Sequence, residues 1–521
     1  MSLVRSRGAA LAVVFSLFTS SCSDTAAPPP SPSGTASSAA ASASAVVASS
    51  AGVASSSAAP KTATGPGERW GAVMLAGPGE PLQIEVTLHP GDKPSGTISI
   101  PSQKVEDQPL EDLEYTDKRI VFRMAIPRVP PPMQPRIELD RTGGSAKGTI
   151  AQQGMTQNLR FRLLKEGEHA GDRAQTPKPP YPYDERAASF ESKDGTHLGG
   201  TLTLPKSGGP HPTIVLISGT GPQDRDSNLF GHRPFLVLAD RLTRAGIAVL
   251  RVDDRGVGES KGNNDTANED EKTEDVLAAM KWLSTQPDID AKRIGLLGHS
   301  EGGVLAAMAA SRASEPTTAF VVLLGSPGVP GSDLLRTQMR LKLEAMGATK
   351  EQLEITMKAQ NDAIDAVLKN ASDAELEKIV TTQIDGLIAS VPEAERKKIT
   401  PADREERIKA GLVQIQAPAM KAFIKSTPRK YLEKIKCPVL ALGGSKDLQV
   451  PAKENLEAIE AALSKGGNKQ TTTQSFEGLN HLFQPADSGT MDEWAIIDET
   501  MDTGVLDRIA AWLTEHTSAA K

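Results

Sequence analysis

One pentapeptide constrains this chain more than any other stretch. Gly298-His299-Ser300-Glu301-Gly302 follows the apolar run Ile294 to Leu297 and opens into the alanine-rich stretch Val304 to Ala310. That context reads strand, tight turn, helix. A serine on such a turn is lifted out of the fold through cramped backbone angles, which is why small residues must flank it. The layout predicts Ser300 as a nucleophile at the end of a buried strand in an α/β fold.

A serine hydroxyl is a poor nucleophile until an imidazole takes its proton, and the imidazole needs a carboxylate to fix its tautomer. Both partners follow in the chain. Cys437 to Leu442 is a short apolar strand ending in Gly443-Gly444-Ser445-Lys446-Asp447, which makes Asp447 the expected acid. A further strand, Thr472 to Phe476, is followed by Glu477-Gly478-Leu479-Asn480-His481, which makes His481 the expected general base. Alone, Asp447 reads as a turn former and His481 as an idle loop histidine; their order beyond successive strands gives the set its weight. His299 sits inside the turn, His232 in an early loop and His516 in the terminal helix, while Asp487 and Asp498 come after the histidine and fit the acid poorly. The oxyanion that forms during acyl transfer needs backbone donors. These are expected from the N–H of Glu301 and from Thr220 or Gly221, in the glycine-rich loop Ser218 to Pro222 that follows the apolar run Thr213 to Ile217.

The strings Leu216 to Asp226, Gly246 to Ser260 and Gly298 to Gly303 resemble bacterial α/β-hydrolases of the serine aminopeptidase-like and dienelactone hydrolase-like group, some of which are carboxylesterases. The resemblance covers roughly residues 180 to 515 and implies that the nucleophile, acid and base of that group fall on Ser300, Asp447 and His481. Ser218 stands where many such hydrolases carry a histidine before the oxyanion glycine. Asp224, Arg225 and Asp226, like Asp253, Asp254 and Arg255, are expected to hold loops in shape rather than to touch substrate.

The remainder divides by composition. Arg5 and Arg7 precede the apolar run Gly8 to Phe18, too short for a bilayer span of about 20 residues, so 1–22 reads as a secretory signal. Cys22 stands where a lipoprotein signal is cut, although Thr19 departs from the usual pattern. A lipidated Cys22 would place the protein in the cell envelope, at the outer membrane of a diderm; without lipidation it would be periplasmic or secreted. Residues 23–66, rich in Ala, Ser, Pro, Thr and Gly, read as a disordered tether with a span of roughly 35 Å. Residues 67–170 carry short alternating runs such as Gln83 to Leu88, Arg119 to Met124, Ala146 to Ile150 and Leu159 to Leu164, which predict a small antiparallel barrel or sandwich. The catalytic domain is expected over 180–517, with a charged helical cap at about 331–432 that sets substrate choice.

The expectation is therefore an α/β-hydrolase fold with a helical cap, behind a small all-β domain and a disordered tether. With 2 cysteines, one a lipidation candidate, Cys437 is expected to be a buried small hydrophobe. The net charge of -7 argues against nucleic acid, and no metal or cofactor motif stands out. The favoured reading is a serine esterase acting on small acyl esters. The second is an aminopeptidase or short-peptide hydrolase, for which acidic pairs such as Glu405-Glu406 could hold an amino terminus; the third is an inert tethered binding protein. Oligomeric state is left open.

Overall fold

The computed structural model describes residues 67–517 apart from 75–81, 126–129, 131–132, 153–154 and 391–392. The expected signal segment, Cys22 and the tether lie outside the described residues.

The alternating runs fold as an antiparallel meander of β1 (Glu68–Met74), β2 (Leu82–His89), β3 (Ser95–Ile100), β4 (Val105–Tyr115), β5 (Arg119–Met124), β6 (Arg136–Thr142), β7 (Ser145–Gln152) and β8 (Met155–Leu163). Pairing of Trp70 with Leu163 and of Ala72 with Phe161 joins β1 to β8, so the module is a closed barrel rather than a sandwich. Closure leaves no sheet edge to protect. Alternation sends Ile84, Val86 and Leu88 of β2 inward with Ile120, Phe122 and Phe161. The Arg141 guanidinium lies 5.0 Å from the Trp70 ring centroid and 5.1 Å from that of Tyr115, and donates to Tyr115 Oη at 2.9 Å and to Glu68 at 3.0 Å. Burial and the Glu68 carboxylate push the Tyr115 phenol up to about 12.

The second body is a sheet of β9 (Asp184–Glu191), β10 (His197–Leu204), β11 (His211–Ile217), β12 (Ala248–Val252), β13 (Ile289–His299), β14 (Val321–Leu324), β15 (Val439–Gly444) and β16 (Thr471–Phe476). Its order is β16-β15-β14-β13-β11-β12-β10-β9, parallel from β12 to β16, with β9 and β10 antiparallel. The buried strands are apolar on both sides because helices cover both faces. Along β11, Val215 and Ile217 face α2 (Glu269–Ser284) and α3 (Glu301–Arg312), whereas Ile214 and Leu216 face α1 (Pro234–Arg244) and the C-terminal helix Thr503–Thr517. Chain order reverses across β11, so the loops after β11 and β13 open side by side at the carboxyl edge, where open α/β sheets bind ligands. Cys437 is half-buried against the core rather than fully enclosed, and desolvation pushes its thiol up to about 11.

Between β14 and β15 run α4 (Gly331–Ala345), α5 (Lys350–Leu368), α6 (Asp373–Ser390), α7 (Glu393–Arg396), α8 (Pro401–Gln416), α9 (Pro418–Lys425) and α10 (Arg429–Leu432). These helices own a core of Ile364, Val367, Leu376, Val380 and Ile415. Thr349 and Thr400 close capping boxes that start α5 and α8. The ends of the insertion meet where Gly331 N donates to Ser426 O at 3.2 Å, and Gln338 of α4 donates to Gln449 O at 2.5 Å, beside Asp447. Glu405 and Glu406 are exposed on α8.

Candidate active site

β13 delivers its chain to Ser300 at φ 55° and ψ −124°, and α3 begins at the next residue. A non-glycine residue at such angles is strained and persists only where its surroundings over-determine it. Here they do. Ser300 N donates to Leu324 O at 2.9 Å, and a Cβ at Gly302 would be driven into the carbonyl oxygens of Ile217 and Ser218. Gly298 is equally hemmed in by the Gly302 carbonyl. The serine side chain makes no capping bond to its own helix.

Asp447 and His481 follow the adjacent parallel strands β15 and β16. With its proton on Nδ1, His481 donates to Asp447 Oδ2 at 2.8 Å, both side chains being at most 2% exposed. The other carboxylate oxygen accepts Gln449 N and Val450 N, each at 2.8 Å, so the acid cannot swing away. Gly325, after β14, lies beneath the pair; a Cβ there would sit 3.3 Å from His481 Nδ1 and 3.4 Å from Asp447 Oδ2. His299, inside the serine turn, has its ring 4.7 Å from that of His481, with Nε2 3.0 Å from the His481 carbonyl oxygen. Desolvation pushes His299 down to about 3, so the ring is neutral and donates to that carbonyl through Nε2. The serine turn and the histidine loop are thereby tied directly together.

Glu301 is the first residue of α3, so its N–H has no partner within the helix and points with the positive end of the helix dipole. Gly219 of the loop after β11 abuts the serine, a Cβ there lying 3.2 Å from Ser300 Cβ; Thr220 and Gly221 follow, Gly221 at φ 89°. Asp254, beyond β12, pins this loop by accepting Ser218 Oγ at 2.6 Å and Gln223 N at 2.9 Å. Desolvation pushes the Asp254 carboxyl up to about 7 despite those two bonds and the charge of Lys272. Arg225 pairs with Asp253 at 2.5 Å and Glu259 at 2.7 Å, Asp226 pairs with Arg251, and Asp224 Oδ1 accepts Asp226 N at 3.1 Å and Asn228 N at 2.9 Å. These charges are engaged in holding the loop.

Of the other candidates weighed, Asp487 meets Lys147 at 3.1 Å, Asp498 lies 3.7 Å from Arg162, and the His516 ring stacks 4.1 Å from that of Trp512. None of them joins the Ser300 region. Asp254 holds a loop in shape, as its sequence context suggests, whereas the tie from His299 to the His481 carbonyl is one that motif spacing does not encode. Among the described residues, no cluster of His, Cys, Asp and Glu could hold a metal ion. A surface groove of about 630 Å³ between β9 and α2, lined by Phe190, Trp282 and Arg312, includes none of the site residues. A cavity of about 60 Å³ lined by Ser218, Gly219, Asp254 and Lys272 lies behind the oxyanion loop.

A parallel sheet with this strand order, a strained serine between strand and helix, and an acid and histidine beyond the last two strands define an α/β-hydrolase, and the chain is a serine hydrolase of that class. Residues 194–476 match the family model of the X-Pro dipeptidyl-peptidases (S15 family), and the chain belongs to that family. It is similar to esterase EstD of Thermotoga maritima, 27% identical over 383 residues that make up 73% of this chain and 78% of that protein. Among solved structures it is similar to the Pyrococcus furiosus esterase Pf2001, with 16% identity and a TM-score of 0.38 over 64% of this chain and 92% of that one. It is also similar to the α/β hydrolase GrgF from Penicillium sp. sh18, with 16% identity and a TM-score of 0.40 over 64% of this chain and 100% of that one.

Proposed function

We propose that the chain is a carboxylesterase-type hydrolase that cleaves small acyl esters through an acyl-serine intermediate. Ser300 Oγ attacks the ester carbonyl while His481 Nε2 takes its proton, and Asp447 holds the imidazole in the tautomer that leaves Nε2 free. The N–H of Glu301, with that of Thr220 or Gly221, stabilises the oxyanion. His481 then hands its proton to the departing alcohol and deprotonates the water that releases the acid. The observation that carries the reading is the buried 2.8 Å bond between His481 and Asp447, in a loop tied by His299 to the strained Ser300 turn.

Membership of a peptidase family favours one second reading, cleavage of short peptides with the same three residues. The exposed Glu405-Glu406 pair gives no support to amino-terminus binding at that place. The two readings separate in a substrate panel of p-nitrophenyl esters of rising chain length beside alanine and alanyl-proline p-nitroanilides, with Ser300→Ala as control. The ester reading expects turnover that falls with chain length and drops about a millionfold in the variant. Cleavage of an anilide with no ester turnover would replace it with the peptidase reading.

A further inference from the structure

We infer that the N-terminal barrel and the irregular strap that follows it, residues 164–183, set the position of the His481 loop, with Arg173 as the principal positioning residue. This rests on the proposed role of His481 as the base.

From Leu482 to Thr500 the described chain contains no strand and, beyond an isolated bridge of Leu479 with Pro485, only a short 3₁₀ turn at Met491–Glu493. A segment without a ladder must find partners for its buried main-chain groups elsewhere. It finds them in the strap. Arg173, only 5% exposed, donates to Ala495 O at 2.8 Å, to Ile497 O at 3.0 Å and to Phe230 O at 3.0 Å. Gln175 accepts Thr500 N at 2.6 Å and Met501 N at 3.0 Å and donates to Met501 O at 2.7 Å. Burial draws Arg173 down to about 10, so it remains charged at neutral pH, facing Asp498.

The barrel wall supplies a second and independent set of contacts. Lys147 of β7 and Arg160 of β8 reach Asp487 at 3.1 and 3.5 Å, and Arg162 lies 3.7 Å from Asp498. Two remote parts of the chain thus grip both ends of one loop. The grip reaches the base through Trp494, whose ring centroid lies 6.1 Å from that of His481 at an interplanar angle of 27°. Trp494 O is held at 3.0 Å by Nε2 of His232, whose Nδ1 lies 3.0 Å from Thr500 Oγ1. Because a displacement of about 1 Å in a catalytic group can cost about a hundredfold in rate, a loop gripped this way sets turnover.

The test uses the full chain, p-nitrophenyl acetate and active sites titrated with a fluorophosphonate. Arg173→Met is expected to lower kcat per folded molecule about tenfold to a hundredfold with KM within about twofold, and to shift the acidic limb of the kcat/KM profile. Arg173→Lys should recover part of the loss. If Arg173→Met does not fold, Asp487→Lys, a change at an exposed residue, keeps the question open to measurement and should lower kcat about threefold to tenfold. Unchanged kcat and pH profile in whichever of these variants folds would overturn the inference. Retained turnover in Ser300→Ala would instead overturn the assignment on which it rests, so the two failures are distinguishable.

Discussion

The serine turn and the histidine loop, tied together through His299, are held in place by opposite means. Around Ser300 the constraint comes from the turn and the two strands that flank it: Gly298 and Gly302 sit within two residues of it, Gly302 lies against the carbonyls of Ile217 and Ser218 at the end of β11, and the backbone bond to Leu324 reaches β14. Around His481 the constraint is distant, since the loop behind it is held by Arg173, Gln175 and His232 and by charges on the barrel wall. A short motif packed into the sheet core defines one half of the site, while the other half depends on segments outside the sheet having assembled. The turn should therefore fail by unfolding, and the loop by losing turnover in a folded molecule.

The largest effect expected on the turn side is that of Gly302→Val. Its side chain has no space between the helix start and the carbonyls of Ile217 and Ser218, so urea unfolding should give a loss of about 3 kcal/mol or more. A variant of wild-type stability would break the comparison, because the turn would then be soft.

The smaller effect is on pH dependence, and it divides between the two regions. His299 in the turn and His232 behind the loop are each pushed down to about 3 by desolvation. A histidine depressed in the folded state contributes stability that is present above about pH 6.5 and is lost as pH falls toward 3, because unfolding then takes up a proton. Asp254 acts in the opposite sense. Raised to about 7, its contribution is fully present below about pH 4 and is lost as pH rises through 7. The contribution of His299 and His232 to the melting temperature therefore falls between pH 7 and pH 5, and that of Asp254 rises over the same interval. His232→Gln, which keeps a donor for Trp494 O, should remove the His232 share of that fall. A wild-type slope in this variant would remove the neutral His232 from the account of the loop.

What was legible in the sequence follows the same division. The turn, the apolar strand before it, the Asp447 and His481 loops and the alternating barrel runs could all be read because periodicity and small-residue spacing are local properties. Alternation alone does not separate barrel from sandwich, since closure depends on β1 pairing with β8 across the whole module. Arg173 and Gln175 lie in a stretch with neither period nor motif, and nothing near them in sequence names their partners, which lie more than 300 residues away apart from the Phe230 carbonyl. In the sequence His232 reads as an early-loop histidine, and its contacts with Trp494 and Thr500 appear only when the terminal segment packs back over it.

The central claim is that Ser300 is the nucleophile activated by His481. Intact protein incubated with a fluorophosphonate and digested for mass spectrometry tests it most directly. The account predicts a single adduct on the peptide containing Ser300, absent from Ser300→Ala and formed far more slowly in His481→Ala. An adduct on another residue, or ester turnover that persists with Ser300 unlabelled, would contradict it.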